Sequence, residues 1–365
     1  MNGDPQLLVA AIATGAAAFA LNLVVIPLIL LIAHSRGWYD RNDHRKIHTE
    51  DTPRLGGAGI FIAFVVLAIV GSQILGSAAN RSLTMQLMPV FGGLTIVFLM
   101  GLIDDFYDLP AFLKLLLQIS AGGMVTLGSF VVDELVLPFG LPTIRLGLLG
   151  YPVTVLWVVG LINAVNFIDG MDGLAGGAAA IAAFFTAVIG IVIGQPAVTV
   201  AAVALFGSVS GFLIFNFPPA KIFMGDSGSC TLGFLLAVFP LLGGGLAETG
   251  FGVVPTVTLL FVPIMDALAA VLRRMRQGVP IYKPDREHLH HKLFDLGFST
   301  HQILAIVYGA ALLSGLAAIS WIVLPSLYRL LLVGGFWAAV LSGFLVLHKV
   351  RHSEDSPGST TNGAL

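Results

Sequence analysis

Eleven apolar stretches, roughly 7–33, 57–76, 85–103, 112–131, 151–168, 174–194, 196–215, 231–247, 252–272, 302–323 and 329–348, take up most of this 365-residue chain. A helix needs about 20 apolar residues to cross a bilayer. Inside lipid the backbone must satisfy its own hydrogen bonds, and continuous apolar runs of this length do so as helices. Charge agrees: Asp, Glu, Lys and Arg make up 10 % of the residues, where a soluble domain carries about 25 %. So little charge cannot cover a water-facing surface. It also excludes a disordered chain, and the formal net charge of -2 excludes a nucleic-acid binder. One cysteine, Cys230, forbids an intramolecular disulfide and leaves a thiolate zinc site short of ligands. The fold class is an all-α polytopic integral membrane protein. It forms a single domain over residues 1–352, followed by a small-residue polar tail, 353–365, expected to be disordered and cytoplasmic.

Lys and Arg near the span ends set the orientation. Of 18 basic residues, Arg81, Arg145 and Arg329 fall on one side and all the others on the opposite side. The richer side is cytoplasmic, so the N-terminus lies outside and the C-terminus inside. The outer segment 132–150 mixes apolar residues with Pro and Gly, and predicts a short β-hairpin.

Four polar clusters fall on the cytoplasmic side. In the first, Asp104-Asp105-Phe-Tyr-Asp108, the i,i+3 and i,i+4 spacings let the carboxylates share a helix face. Acids held that close repel unless a cation joins them, and hard oxygen ligands suit Mg²⁺ or Mn²⁺. The bland alternative is a solvated helix end. The second cluster runs Asn163-Ala-Val-Asn166-Phe-Ile-Asp169-Gly-Met-Asp172-Gly173. Asparagine deep in a span is costly without partners. Its paired donor and acceptor edges suit a nucleobase or sugar, although Asn163 alone reads equally well as an interhelical hydrogen bond.

The third cluster, Gly225-Asp226-Ser227-Gly228-Ser229, opens a span. There Ser227 or Ser229 can cap the helix, its N–H groups attract anions, and a metal could bridge Asp226 to a phosphate. The fourth is Pro284-Asp-Arg286-Glu-His288-Leu-His290-His291. Leu289, Leu293 and Leu296 put it on an amphipathic interfacial helix. Arg and His there suit an anionic substrate better than they suit zinc, for which a fourth ligand is lacking. Lys46, His48 and Arg54 form a basic hook before Leu55-Gly56-Gly57, and Asp266 is an isolated acid inside a span.

Taken together and in this order, these motifs closely resemble the polyprenyl-phosphate N-acetylhexosamine-1-phosphate transferase family (glycosyltransferase family 4), from about Lys46 to Phe298. Asp108 and the Pro284-to-His291 string are similar to its bacterial GlcNAc-1-phosphate transferase branch. The phospho-MurNAc-pentapeptide translocase branch carries a different histidine motif and usually a Lys in place of the third Asp. The resemblance implies transfer of GlcNAc-1-phosphate from UDP-GlcNAc to undecaprenyl phosphate, with release of UMP. That would be the first membrane step of a cell-envelope polysaccharide such as lipopolysaccharide or teichoic acid. The enzyme would lie in the bacterial inner membrane with its site facing the cytoplasm, and a homodimer is left open.

The same resemblance gives the residues roles. Asp105 and Asp226 would hold Mg²⁺ (or Mn²⁺), and Asp104 would orient or deprotonate the lipid phosphate. Asn163, Asn166, Asp169 and Asp172 would face the uridine diphosphate, with Asp108 beside them. Arg286, His288, His290 and His291 would grip sugar and diphosphate, and Lys46 and Arg54 would receive the lipid phosphate. Two other classes stay in view. A transporter would place acids near mid-span, often with inverted repeats, and a membrane prenyltransferase would need a second Asp-rich motif.

Overall fold

A computed structural model describes residues 5–39, 52–74, 80–135, 143–242, 252–280 and 288–354. The helices in order are α1 (Pro5–Arg36), α2 (Gly56–Ile74), α3 (Asn80–Tyr107), α4 (Ala111–Leu127), α5 (Gly150–Ile168), α6 (Leu174–Val192) and α7 (Pro196–Asn216). They continue as α8 (Gly225–Leu242), α9 (Val253–Leu259), α10 (Phe261–Gln277), α11 (Leu289–Asp295), α12 (Thr300–Val323) and α13 (Ser326–Glu354). Among the described residues eight helices are long and apolar enough to cross a membrane, or nine if α9 and α10 make one span. The apolar helices α2 and α4 are shorter. The chain is thus an all-α polytopic membrane protein. The tail from residue 355 lies outside the described residues.

The expected hairpin is present between α4 and α5. Strands β1 (Glu134–Leu135) and β2 (Ile144–Arg145) pair antiparallel, and Arg145 Nε meets Glu134 Oε1 at 3.0 Å.

The stretch 252–272 departs from expectation. It is not one straight span but two helices, α9 and α10, bent by 79°. Pro263 has no N–H to give the carbonyl four residues back, so the helix cannot run on through this point. That carbonyl, of Leu259, takes the Ser314 hydroxyl of α12 instead, at 3.3 Å. Past the bend, α10 carries Asp266, Arg273 and Arg274 in buried positions.

The core is organised around α8, which is buried along nearly its whole length between α3 and α5, with α2 alongside. Small residues permit this. A Cβ on Gly101 of α3 would collide with the backbone of Asp226 and Ser227, and one on Gly233 of α8 would meet the backbone of α5 at Leu161 and Ile162. Gly101 therefore lets α3 lie against the first turn of α8, and the next turn of α3 delivers Asp104 and Asp105 to that spot. The ends of α3, α5 and α7 meet the starts of α4, α6 and α8 at one end of the bundle.

Candidate active site

The site grows from an exposed need of α8. The first N–H groups of any helix lack intrahelical partners, and that end of the helix dipole is positive. Here the partner comes from another helix. Asp105 Oδ1 accepts the N–H of Asp226 at 2.7 Å, and Oδ2 accepts the N–H of Ser227 at 3.2 Å and its hydroxyl at 2.7 Å. The sequence reading had Ser227 or Ser229 capping α8 and its N–H groups free for an anion. Instead Asp105 is the cap and the captured anion. Ser229 donates back to the Gly225 carbonyl at 3.1 Å.

With α3 clamped to α8, Asp104 and Asp226 come together around one ammonium. Lys114, in the first turn of α4, bonds Asp104 Oδ2 and lies 3.2 Å from Asp226 Oδ2. Asp104 Oδ1 accepts the Leu109 N–H at 2.7 Å, which ties the turn between α3 and α4 to the same carboxylate. Asn166 of α5 closes the group, giving its amide N–H groups to Asp226 Oδ1 at 3.2 Å and Ser229 Oγ at 2.9 Å. Four helices thus converge on Asp226, whose side chain keeps 31 % exposure. By its position alone Lys114 is one of the basic residues that mark orientation. A lysine in the first turn of an apolar helix, one turn before Gln118, was the signal that it faces inward.

Other expected residues are placed differently. Asp108 does not share the helix face of Asp104: α3 stops at Tyr107 and Asp108 takes the left-handed φ of 48°. It lines a polar cavity of about 210 Å³ with Arg54, Asp105, Trp38 and Tyr39. Asn163 points away from the cluster, into the bundle. Its amide binds Gln118 Oε1 of α4 and the Val159 carbonyl, both at 2.8 Å, which is the interhelical alternative. Lys46 and Arg286 lie outside the described residues.

The turn after α5 forms the next wall. Asp172 Oδ2 accepts the Ala220 N–H at 3.0 Å. Asn216 accepts the Gly173 N–H and donates to the Ile222 carbonyl, both at 2.9 Å, and the Tyr308 hydroxyl holds the Gly173 carbonyl at 2.6 Å. Gly173, at φ 75°, supplies the left-handed backbone from which α6 starts. Asn216 and Tyr308 went unnoticed in the sequence, because a lone polar residue in or beside a span has no spacing to mark it. Within this turn Asp169 is pushed up to about 8, first by burial and then by the charges of Asp226 and Asp105.

The histidine segment lies over the same turn. His288 directs Nδ1 to Asp266 Oδ2 at 2.8 Å, and its ring lies 5.6 Å from that of Phe167. The His290 ring runs parallel to that of His288, with centroids 6.2 Å apart, and lies 4.2 Å from His291. A Cβ on Gly170 would strike the His290 imidazole. His290 is 3 % exposed, and burial, followed by the charge of His291, drives it down to about 3. It is therefore a neutral imidazole near pH 7, which can meet a sugar or diphosphate by hydrogen bonding.

The carboxylates fit a divalent ion of one kind. Among the described residues no three His, Cys, Asp or Glu side chains are arranged to hold a metal by themselves. Asp105 accepts three hydrogen bonds where a carboxylate offers about four lone-pair sites; Asp226 accepts two from side chains. One or two carboxylates, completed by water and phosphate oxygens, is how Mg²⁺ is usually held.

Residues 87–244 match the family described as Glycosyl transferase family 4. The chain is 36 % identical over 304 residues to the probable undecaprenyl-phosphate N-acetylglucosaminyl 1-phosphate transferase of Bacillus subtilis, covering 83 % of this chain and 82 % of that one. It is 33 % identical over 287 residues to the decaprenyl-phosphate N-acetylglucosaminephosphotransferase of Mycobacterium tuberculosis, covering 72 % and 70 %. Over 326 residues it is 32 % identical to the phospho-N-acetylmuramoyl-pentapeptide-transferase of Symbiobacterium thermophilum, covering 86 % and 94 %. With about a third of its residues shared with such relatives across most of both chains, the chain belongs to glycosyl transferase family 4.

Proposed function

We propose that this protein transfers GlcNAc-1-phosphate from UDP-GlcNAc to undecaprenyl phosphate, giving undecaprenyl-diphospho-GlcNAc and UMP. The observation that carries this reading is the meeting of Asp104, Asp226 and Asn166 around Lys114 at the end of an apolar bundle. On this reading a soluble anion reaches that end from water and a lipid reaches it sideways from the bilayer. Similarity to proteins named as GlcNAc-1-phosphate transferases supports the choice of sugar.

In the proposed step an oxygen of the lipid phosphate attacks the sugar-side phosphorus of UDP-GlcNAc in line. The bond to the UMP oxygen breaks, and UMP leaves with the electron pair. Phosphate monoesters have a second pKa near 6, so the acceptor is largely dianionic at neutral pH and attacks without a strong base. Two anions must approach each other, and the protein's task is to offset their repulsion. Lys114 supplies a positive charge held between two carboxylates. Asn166 fixes the rotamer of Asp226, and Asp105 holds the α8 start on which Asp226 sits. The Asp169–Gly173 turn, braced by Asn216 and Tyr308, forms the wall for the uridine side. Mg²⁺ (or Mn²⁺), held through Asp226 and the remaining lone pair of Asp105, would spread the charge of the diphosphate.

We also read eleven spans: the eight long helices, α9 with α10 as one, and α2 and α4 as two more. With the positive-inside distribution this puts the N-terminus outside and the site at the cytoplasmic face of the inner membrane. The product would open a cell-envelope polysaccharide.

The test is purified protein with undecaprenyl phosphate, Mg²⁺ and a panel of UDP-sugars that includes UDP-MurNAc-pentapeptide, with UMP measured. UDP-GlcNAc should be preferred, and EDTA should stop release until Mg²⁺ is restored. UMP release that ignores the lipid would sink the transferase reading. Preference for the pentapeptide would move the protein to the branch that the S. thermophilum relative's name describes.

A further inference from the structure

The chemistry above leaves one buried acid without a task. Asp266 sits on α10 just past the bend at Leu260 and is 3 % exposed. An acid in such a place is kept only with partners. It has two, both on the histidine segment: Oδ2 meets His288 Nδ1, and Oδ1 accepts the N–H of Leu289, each at 2.8 Å. His288 is pinned on its other flank as well. Its ring packs on Phe167, the neighbour of Asn166, and Arg274 of α10 lies over the Phe167 ring, 5.3 Å from the centroid of that phenyl. Asp266 and Arg274 are two turns apart, on the same side of α10. This helix therefore braces both the end of α5 and the start of α11.

Resting on the transferase reading, we infer that Asp266 is a positioning residue that fixes His288 in the Nδ1–H tautomer, so that His288 meets the donor's sugar-diphosphate through Nε2. A carboxylate on one imidazole nitrogen sets the tautomer and the ring orientation, and it makes the other nitrogen a better acceptor. The bend between α9 and α10 then has a purpose beyond packing, because it aims the acid at the histidine. A lysine or glutamine in place of His288 could not present a nitrogen fixed in this way.

The test is a double-mutant cycle in the UMP-release assay, on full-length protein checked by gel filtration and melting. Asp266→Asn keeps an acceptor for the Leu289 N–H but offers the imidazole an amide donor, which selects the wrong tautomer. It should lower kcat roughly 10- to 100-fold with the KM for UDP-GlcNAc changed less than about threefold, and Asp266→Glu should recover part of the loss. In a His288→Ala background the same Asp266→Asn change should cost less than about threefold, since no imidazole is left to orient. An equal loss in both backgrounds would reduce Asp266 to a structural anchor and overturn the proposal. Should Asp266→Asn fail to fold, the tautomer of His288 in the wild-type protein decides instead. Side-chain ¹⁵N NMR, with His288 identified by difference against His288→Ala, reads the tautomer without turnover. An Nε2–H tautomer in the wild type refutes the proposal whatever substrate the enzyme takes, and absence of wild-type UMP release tells against the transferase reading alone.

Discussion

His290 makes the packing of α11 sensitive to acid, by an amount the structure allows to be worked out. Its imidazole, 3 % exposed, lies between the Gly170 turn and the rings of His288 and His291, with Asp266 the nearest acid on α10. Packed, it titrates at about 3, against an ordinary 6.5. When α11 lifts away, the imidazole returns to water and to the ordinary value. Below pH 6.5 the open state therefore takes up a proton that the packed state refuses until about pH 3. Packing is strongest above pH 6.5 and weakens steadily as pH falls through that window. Between pH 7 and pH 5 the loss is about 2 kcal/mol, or roughly 30-fold in the opening constant. Hydrogen exchange of residues 289–295 in detergent, corrected for the intrinsic pH dependence of exchange, measures it directly. His290→Gln, neutral at every pH, should start from weaker protection but lose much less of it on acidification. Parallel pH profiles for the two proteins would refute the picture of a buried neutral imidazole.

Three further outcomes follow from the same geometry. Asp226→Asn should lower UMP release by roughly 10³-fold while the protein still elutes and melts as folded; normal turnover would remove Asp226 from the metal site. Lys114→Met removes the cation that joins Asp104 to Asp226, and kcat should fall about 100-fold, with Lys114→Arg recovering part; unchanged kcat would leave Lys114 as a positive-inside marker. Asn163→Ala breaks the contact between α4 and α5 and should cost about 1–2 kcal/mol of thermal stability with activity within about threefold; a large loss of kcat in a protein of wild-type stability would return Asn163 to the substrate site.

The bundle was legible because lipid leaves the backbone few options, so apolar length alone marks the helices. The acids were legible because carboxylates clustered at a span end need a reason. What sequence could not settle was direction. Asp105 turns to the start of α8, a partner more than a hundred residues away, and Asp108 leaves the helix altogether, so shared spacing did not mean a shared face. Asn163 and Asn166 are equivalent by spacing, yet one reaches α4 and the other α8, because their depths in the bundle meet different neighbours. The stretch 252–272 passed as one span since hydropathy averages over Pro263, and only the missing N–H of that residue hints at the bend. Lys114 was hidden by its own ordinariness: a lysine near a span end is what orientation alone predicts.

The cap that Asp105 places on α8 has a consequence for how the chain is made. Helices of a membrane protein emerge in order, and the acid and the helix it serves are 121 residues apart. Until α8 arrives, the carboxylate at the end of α3 lacks the donors that Asp226 and Ser227 bring to it. When it arrives, one set of hydrogen bonds both closes the bundle and sets Asp226 beside Lys114. A chain halted before Gly225 would be left with a charged seam between its helices, a mark that quality control could read as unfinished. Assembly and activation are then a single event, and an enzyme that handles a scarce lipid carrier has no half-built form able to waste it.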